Sequence, residues 1–336
     1  MKFSSTEISD RIELLDYLRG FTLLGIMFVN INNMGTDLPI KNINDQMYQQ
    51  FLYLFIEARF VNIFAFLFGI GFYIFITRAN SKGQNGYLLF LRRIIGLFIF
   101  GLLLRFFMSG EPLTFYAICG LILLPFYKVR KEINFIISMV ILVALSCTVP
   151  DKFLIILPLT LLGITAGQYH IFEPIPKKKK GIAIFSLITL LCSSFILLFY
   201  QYTKMPTTPF IPMFMEVDDP VQLQTNKFLS IGVIIGPIVS AFFVASFALL
   251  FRLAFIKKLL LPFKYCGRMS LTNFFLQPIL FLIAFYSLHN ISLFQSLFVC
   301  LGLYALQATC SIIWLNYFRM GPLEWVLRFI TYFKAS

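Results

Sequence analysis

The sequence predicts an all-α, polytopic bundle of about ten membrane helices, each near 20 apolar residues long. Three observations carry this. Hydrophobic residues make up 59% of the 336-residue chain, and the mean hydropathy is +0.84. Charged residues fall to 13%, about half of the roughly 25% usual in soluble domains. The apolar runs are long and continuous, without the two-residue alternation of a barrel strand. A soluble enzyme with one buried core is excluded, and 1–336 reads as a single integral membrane domain.

The predicted spans lie near 19–36, 50–77, 87–108, 112–128, 133–150, 153–170, 181–201, 228–251, 269–288 and 292–317. The first follows a polar opening with no small-residue cleavage site, so it is expected to stay as an anchor. The second exceeds a minimal span and is expected to tilt or to reach past the bilayer. Short connections make spans 3–4 and 5–6 antiparallel hairpins. The longest connection, 202–227, contains "MPTTPFIPMFMEVDDP" and is expected to be an ordered loop or a short re-entrant piece.

The net charge of +13 has a membrane explanation. With both termini in the cytoplasm, 22 of the 28 Lys and Arg fall on the cytoplasmic side, as the positive-inside rule requires. Only Lys41, Lys152, Lys204 and Lys227 fall opposite, and Arg59 and Arg105 lie within spans. The basic surface therefore meets membrane lipid rather than nucleic acid. A multi-pass protein of a prokaryotic cytoplasmic membrane is expected. The six cysteines have no paired metal-ligand spacing and read as small core residues. His170 and His289 read as interfacial, and no metal site is expected.

Ionisable groups inside a membrane are costly and mark partners or watery cavities. Glu57 and Arg59 in "FIEARFVN" stand two apart, on nearly opposite faces of a continuous helix, whereas Arg59 and Asn62 share one. Arg105 and Glu111 complete an expected outer cluster, either a site or an ion network tying spans 2 and 3. Asn30 lies 11 residues beyond Arg19, about 16 Å along a helix, near the level of Glu57. It can serve a substrate or an interhelical hydrogen bond. At the opposite face Asp16 and Arg19 are spaced to pair, as are Glu324 and Arg328 in "GPLEWVLR", a structural pair beside the interfacial Trp325. "CGRMSLTN" (266–273) reads as a polar turn, with Ser270 or Thr272 as a helix cap. Gly69 and Gly71 in "FGIGFYIF" suit close helix contact.

"RIELLDYLRGFTLLGIMFVNI", "FAFLFGIGF", the "RR" opening span 3, "GRMSLTNFFLQ" and "GPLEWVLRFITY" occur in that order over nearly the whole chain. Together they resemble the YeiB-like membrane proteins (domain of unknown function 418), most specifically in the terminal blocks and the portion 228–336. More distantly, the "LDxLRG" start resembles the transmembrane acyltransferase superfamily. That resemblance implies a bundle passing an acyl group from cytoplasmic acyl-CoA, a co-substrate rather than a tightly bound cofactor, to a glycan or lipid-linked acceptor. It places Asp16 and Arg19, with Arg268, at the inner mouth near the CoA phosphates. The acyltransferase-3 proteins use a first-span histidine as base, where this chain has Asn30. Many YeiB relatives carry "GLxH" then "GDIL", where this chain has "GLLL" with Leu104 and "GEPL" with Glu111. The base would then be Glu57 or Glu111. Arg59 and Arg105 would stabilise negative charge, while Asn30 and Asn62 would meet the acceptor. The alternative is a non-catalytic binder, sensor or transporter of a small or lipidic molecule.

Overall fold

The computed structural model describes residues 13–33, 38–108, 111–171, 180–206, 209–210, 220–251, 253–288 and 291–333. His289, Arg252 and most of the proline-rich stretch in 202–227 lie outside them. The described residues form helices α1 (Glu13–Asn30), α2 (Ile43–Phe51), α3 (Arg59–Ser81), α4 (Gly86–Arg105), α5 (Leu113–Ile122), α6 (Lys131–Thr148) and α7 (Ile156–Gln168). They continue as α8 (Lys180–Thr203), α9 (Pro220–Leu250), α10 (Ala254–Leu259), α11 (Leu261–Arg268), α12 (Ser270–Ser287), α13 (Leu293–Tyr317) and α14 (Pro322–Tyr332). Among the described residues there is no strand. The chain is a helical membrane bundle.

Every predicted apolar run contains a helix, but among the described residues seven segments are long and apolar enough to cross a membrane. The expectation of about ten counted three runs that fall short. α5 and α7 have 10 and 13 residues. α1 has 18 residues but carries Glu13, Asp16 and Arg19. Another difference is α9, which starts at Pro220 and runs for 31 residues. Part of the predicted 202–227 loop is therefore helix.

The second run is not one tilted helix. A π-helical turn over Leu52–Ile56 follows α2, and the chain breaks at Glu57 and Ala58 before α3 begins. Ala58 has φ 62°, in the left-handed region, which side chains other than glycine adopt uncommonly. Irregular backbone at membrane depth survives where protein buries it or a cavity borders it. Here Ala58 is 4% exposed.

α1 is the axis of the bundle, packed on α3, α11, α12 and α13. Small residues permit its closest contact: a Cβ on Gly20 would stand 2.0 Å from the Phe263 carbonyl oxygen of α11. α3 crosses α7 the same way, with Gly69 against the Thr160 carbonyl. α4 leans on α5 and α14, and α8 on α9. At one end Asp45 accepts hydrogen bonds from the Lys41 and Phe294 amides, joining the start of α2 to that of α13. The other end carries the basic collar.

Candidate functional site

At the basic end a cavity of about 470 Å³ opens between α1, α3, α4, α12 and α14. Its mouth is lined by five cations, Arg19, Arg78, Lys82, Arg93 and Arg268, against two carboxylates, Asp16 and Glu324. Deeper, the lining turns apolar and aromatic, with Phe64, Phe68, Phe72, Phe90 and Tyr116, and it ends against Ile26, Pro112 and Leu113. The volume lies in the range of small-molecule sites. Its polarity runs from cationic mouth to apolar depth.

Local folding places each charge. Asp16 is 2% exposed and holds Arg19 at 3.6 Å, the predicted pair. Gly71 leaves room for that arginine, since a Cβ there would stand 3.1 Å from Arg19 Nη2. Arg93 lies over the Phe75 ring at 5.3 Å and lines the cavity together with Arg19. An Arg268 Nη2 hydrogen donates to the Arg319 carbonyl.

Glu324 does not pair with Arg328. Its carboxylate accepts from the Leu271 amide at 2.7 Å, the Thr272 amide at 3.3 Å and the Thr272 hydroxyl at 2.6 Å. The Thr272 hydroxyl oxygen in turn accepts from the Leu323 amide. α12 and α14 thus satisfy each other's first-turn amides, and the expected Ser270 or Thr272 cap of α12 is replaced by Glu324. A carboxylate answers two orphan donors where a hydroxyl answers one. Arg328 instead lies 5.9 Å from the Tyr332 ring centre.

The opposite end is differently built. Glu57, expected within a helix, sits at the break and takes a 2.7 Å ion pair from Lys152 in the α6–α7 connection. Burial opposes the charge on Lys152, yet Glu57 holds its ammonium above the ordinary lysine range. Arg59 is 1% exposed. It donates to the Glu57 backbone carbonyl at 2.8 Å and to the Gln201 side chain, with no carboxylate in contact. Asn62 is 2% exposed with no hydrogen-bond partner for its amide.

The expected cluster of Glu57, Arg59, Arg105 and Glu111 therefore does not form. Arg105 is exposed at the end of α4. Glu111 is 2% exposed and caps α5, accepting from the Leu113 amide at 2.7 Å and from the Thr114 amide and hydroxyl. Burial pushes its carboxyl up, against those hydrogen bonds and the more distant Arg105. The break redirects Glu57 away from Arg59, and α5's uncapped amides claim Glu111.

Asn30 and Glu57 do stand at one level. With Lys152, Ala58, Phe60 and Val61 they line a crevice of about 20 Å³. Ile26 and Pro112 border both this crevice and the deep end of the cavity.

Lys152, Gln201 and Arg93 had been given no role from sequence. Lys152 carried a signal, as one of the few cations on the sparsely charged side. Gln201 carried none. Among the described residues no His, Cys, Asp and Glu cluster could hold a metal.

The five sequence blocks that carry the YeiB-like resemblance all supply lining to the cavity: Asp16 and Arg19, Phe68 and Gly71, Arg93, Arg268 and Leu271, Glu324 and Leu327. A family model described as "Protein of unknown function (DUF418)" matches residues 166–334. An uncharacterized 39.9 kDa protein in the amylase 3′ region of Bacillus acidopullulyticus is 46% identical over 330 residues, spanning 97% of this chain and 95% of that one. The chain belongs to the DUF418 family. YxaH of Bacillus subtilis, also uncharacterized, is 25% identical over 393 residues, 97% of this chain and 96% of its own. The uncharacterized YeiB of Escherichia coli is 40% identical over 78 residues, 22% of this chain and 20% of its own. No solved structure matches. Two of the five blocks, with Arg268, Leu271, Glu324 and Leu327, lie within the matched residues 166–334.

Proposed function

We propose that this DUF418 protein binds an anionic amphiphile, phosphate head at the basic mouth and hydrocarbon in the aromatic depth. The observation that carries this is the polarity of the 470 Å³ cavity, five cations and two carboxylates at one end and apolar side chains at the other. Arg19 and Arg93 both line the mouth, where an anion would gain charge-assisted hydrogen bonds. The reading takes both termini and the basic mouth as cytoplasmic, in a multi-pass protein of the cell membrane. The ligand then comes from the cytosol or the inner leaflet, and acyl-CoA fits both ends of the cavity.

Acyl transfer to an envelope glycan or lipid acceptor is the second reading. It is favoured by Ile26 and Pro112, which line both the cavity and the crevice holding Asn30 and Glu57. Glu57 would be the base in that reading. Lys152 must first release it, because its ammonium occupies the carboxylate at 2.7 Å. Glu111, committed to its cap, is a poorer choice. Binding without chemistry is therefore the reading the geometry supports best.

Purified full-length protein in detergent, titrated with radiolabelled palmitoyl-CoA, tests this. Saturable binding is expected, weakened at least tenfold by Arg93→Ala. No saturable binding of palmitoyl-CoA or of an anionic phospholipid overturns the reading. Addition of envelope extract then separates the two readings. Labelled product that disappears in Glu57→Gln establishes transfer, and bound but unconsumed ligand establishes binding alone.

A further inference from the structure

The crevice at the helix break has a chemistry of its own, independent of the amphiphile reading. α3 runs 23 residues from Arg59. Its first-turn amides, on Phe60 and Val61, have no carbonyl one turn back, because the chain turns aside at Ala58. The N-terminal end of α3 carries partial positive charge. Asn30 is 7% exposed, and its side-chain NH2 finds no acceptor. It lines the same crevice as Phe60, Val61 and Lys152. Glu57 lines it too, but Lys152 meets that carboxylate at 2.7 Å. Asp151 also acts on Lys152, and Arg59, bonded to the Glu57 carbonyl and to Gln201, stands behind the lining. The unpartnered Asn30 amide and the N-terminal end of α3 meet at a void of about 20 Å³, more than the roughly 10–15 Å³ that holds one water.

We propose that this crevice is a small-anion site, taking a chloride-sized monoanion or one charged oxygen of a larger group. Asn30 Nδ2 and the first amides of α3 donate to the anion, and Lys152 faces it. Ile26, Val29, Ile56 and Phe153 form the apolar side of the crevice, which excludes bulkier solutes.

Thermal unfolding of the full chain in detergent, at constant ionic strength, tests the site. Sodium chloride and sodium formate are compared with sodium gluconate. Chloride should raise the midpoint saturably by about 2–4 °C over gluconate, the shift expected for an anion bound at tens of times its dissociation constant. Formate matching chloride identifies an oxygen site as well, and chloride alone identifies a halide site. Asn30→Leu should abolish the shift, and Arg130→Ala, on the exposed basic end, should retain it. Should Asn30→Leu fail to fold, the anion-size series on the unaltered protein still decides. Equal midpoints in all three salts mean water alone occupies the crevice and overturn the proposal. A full shift retained in Asn30→Leu does the same.

Discussion

The two ends of this bundle use charge in opposite ways. At the basic end five cations surround a cavity of about 470 Å³. Arg19 and Arg93 both line it, and room is left between the helices for something else. At the other end the void is about 20 Å³, and the two buried-layer cations are engaged by protein. Lys152 is on Glu57, and Arg59 is on a carbonyl and Gln201. A charge turned toward open space serves a ligand, whereas a charge turned toward protein acceptors holds helices together. The same residue types therefore carry different duties, and substitution separates them.

The largest effect is expected at Arg59. Arg59→Ala leaves the Gln201 side chain and the Glu57 carbonyl without their donor in a buried layer. It should cost about 3 kcal/mol, since each orphaned buried group costs about 1–3 kcal/mol. Denaturation in mixed detergent reads this, and a loss under about 0.5 kcal/mol would mean the outer layer is not structural. Next is Lys152. Lys152→Ala should cost about 2 kcal/mol, and a double cycle with Glu57→Gln should show about 1–2 kcal/mol of coupling. The pair also predicts a pH response. Because Glu57 raises the lysine's folded value, its stabilisation is complete below the ordinary 10.5 and fades as pH climbs through the raised value. Lys152→Ala should remove that alkaline loss.

Arg93→Ala and Arg19→Ala sharpen the contrast from the other side. Each should weaken amphiphile binding at least tenfold, about 1.4 kcal/mol; Arg93→Ala should change unfolding by less than about 0.5 kcal/mol, whereas Arg19→Ala also removes an ion-pair partner of buried Asp16 and should cost more. A stability loss as large as that of Arg59→Ala would erase the distinction between the ends. The smallest effect is expected at Glu13, bridged to Lys257 and Lys264 at the collar. Those two hydrogen-bonded ammonium groups hold its carboxyl below the usual range. Its stabilisation is present above the ordinary 4.5 and is lost as pH falls through the lowered value. The group is exposed, so Glu13→Gln should change stability by under about 1 kcal/mol.

Much of this was legible in the sequence. The helical class and the apolar runs follow from composition, because lipid forces backbone groups to bond within helices. The Asp16–Arg19 pair follows from one turn of α1. Asn30 and Glu57 share a level because helical rise converts residue number to depth. The partners of Glu57, Arg59 and Glu111 were not legible. They depend on a break at Ala58, where no glycine or proline marks a turn, and on a 95-residue separation between Glu57 and Lys152. The Glu324 cap was missed for a related reason. The pairing rule for i and i+4 favours Arg328, but two α12 amides without acceptors offered the carboxylate more.

Sequence by itself determined that this chain is a membrane helix bundle and which blocks mark its family. Hydrophobic length and local spacing are properties of a single strand of residues. Only the tertiary structure decided that those blocks enclose one cavity and which carboxylates are already committed. Both are set by helix crossings and by competition for buried donors, which no local pattern records.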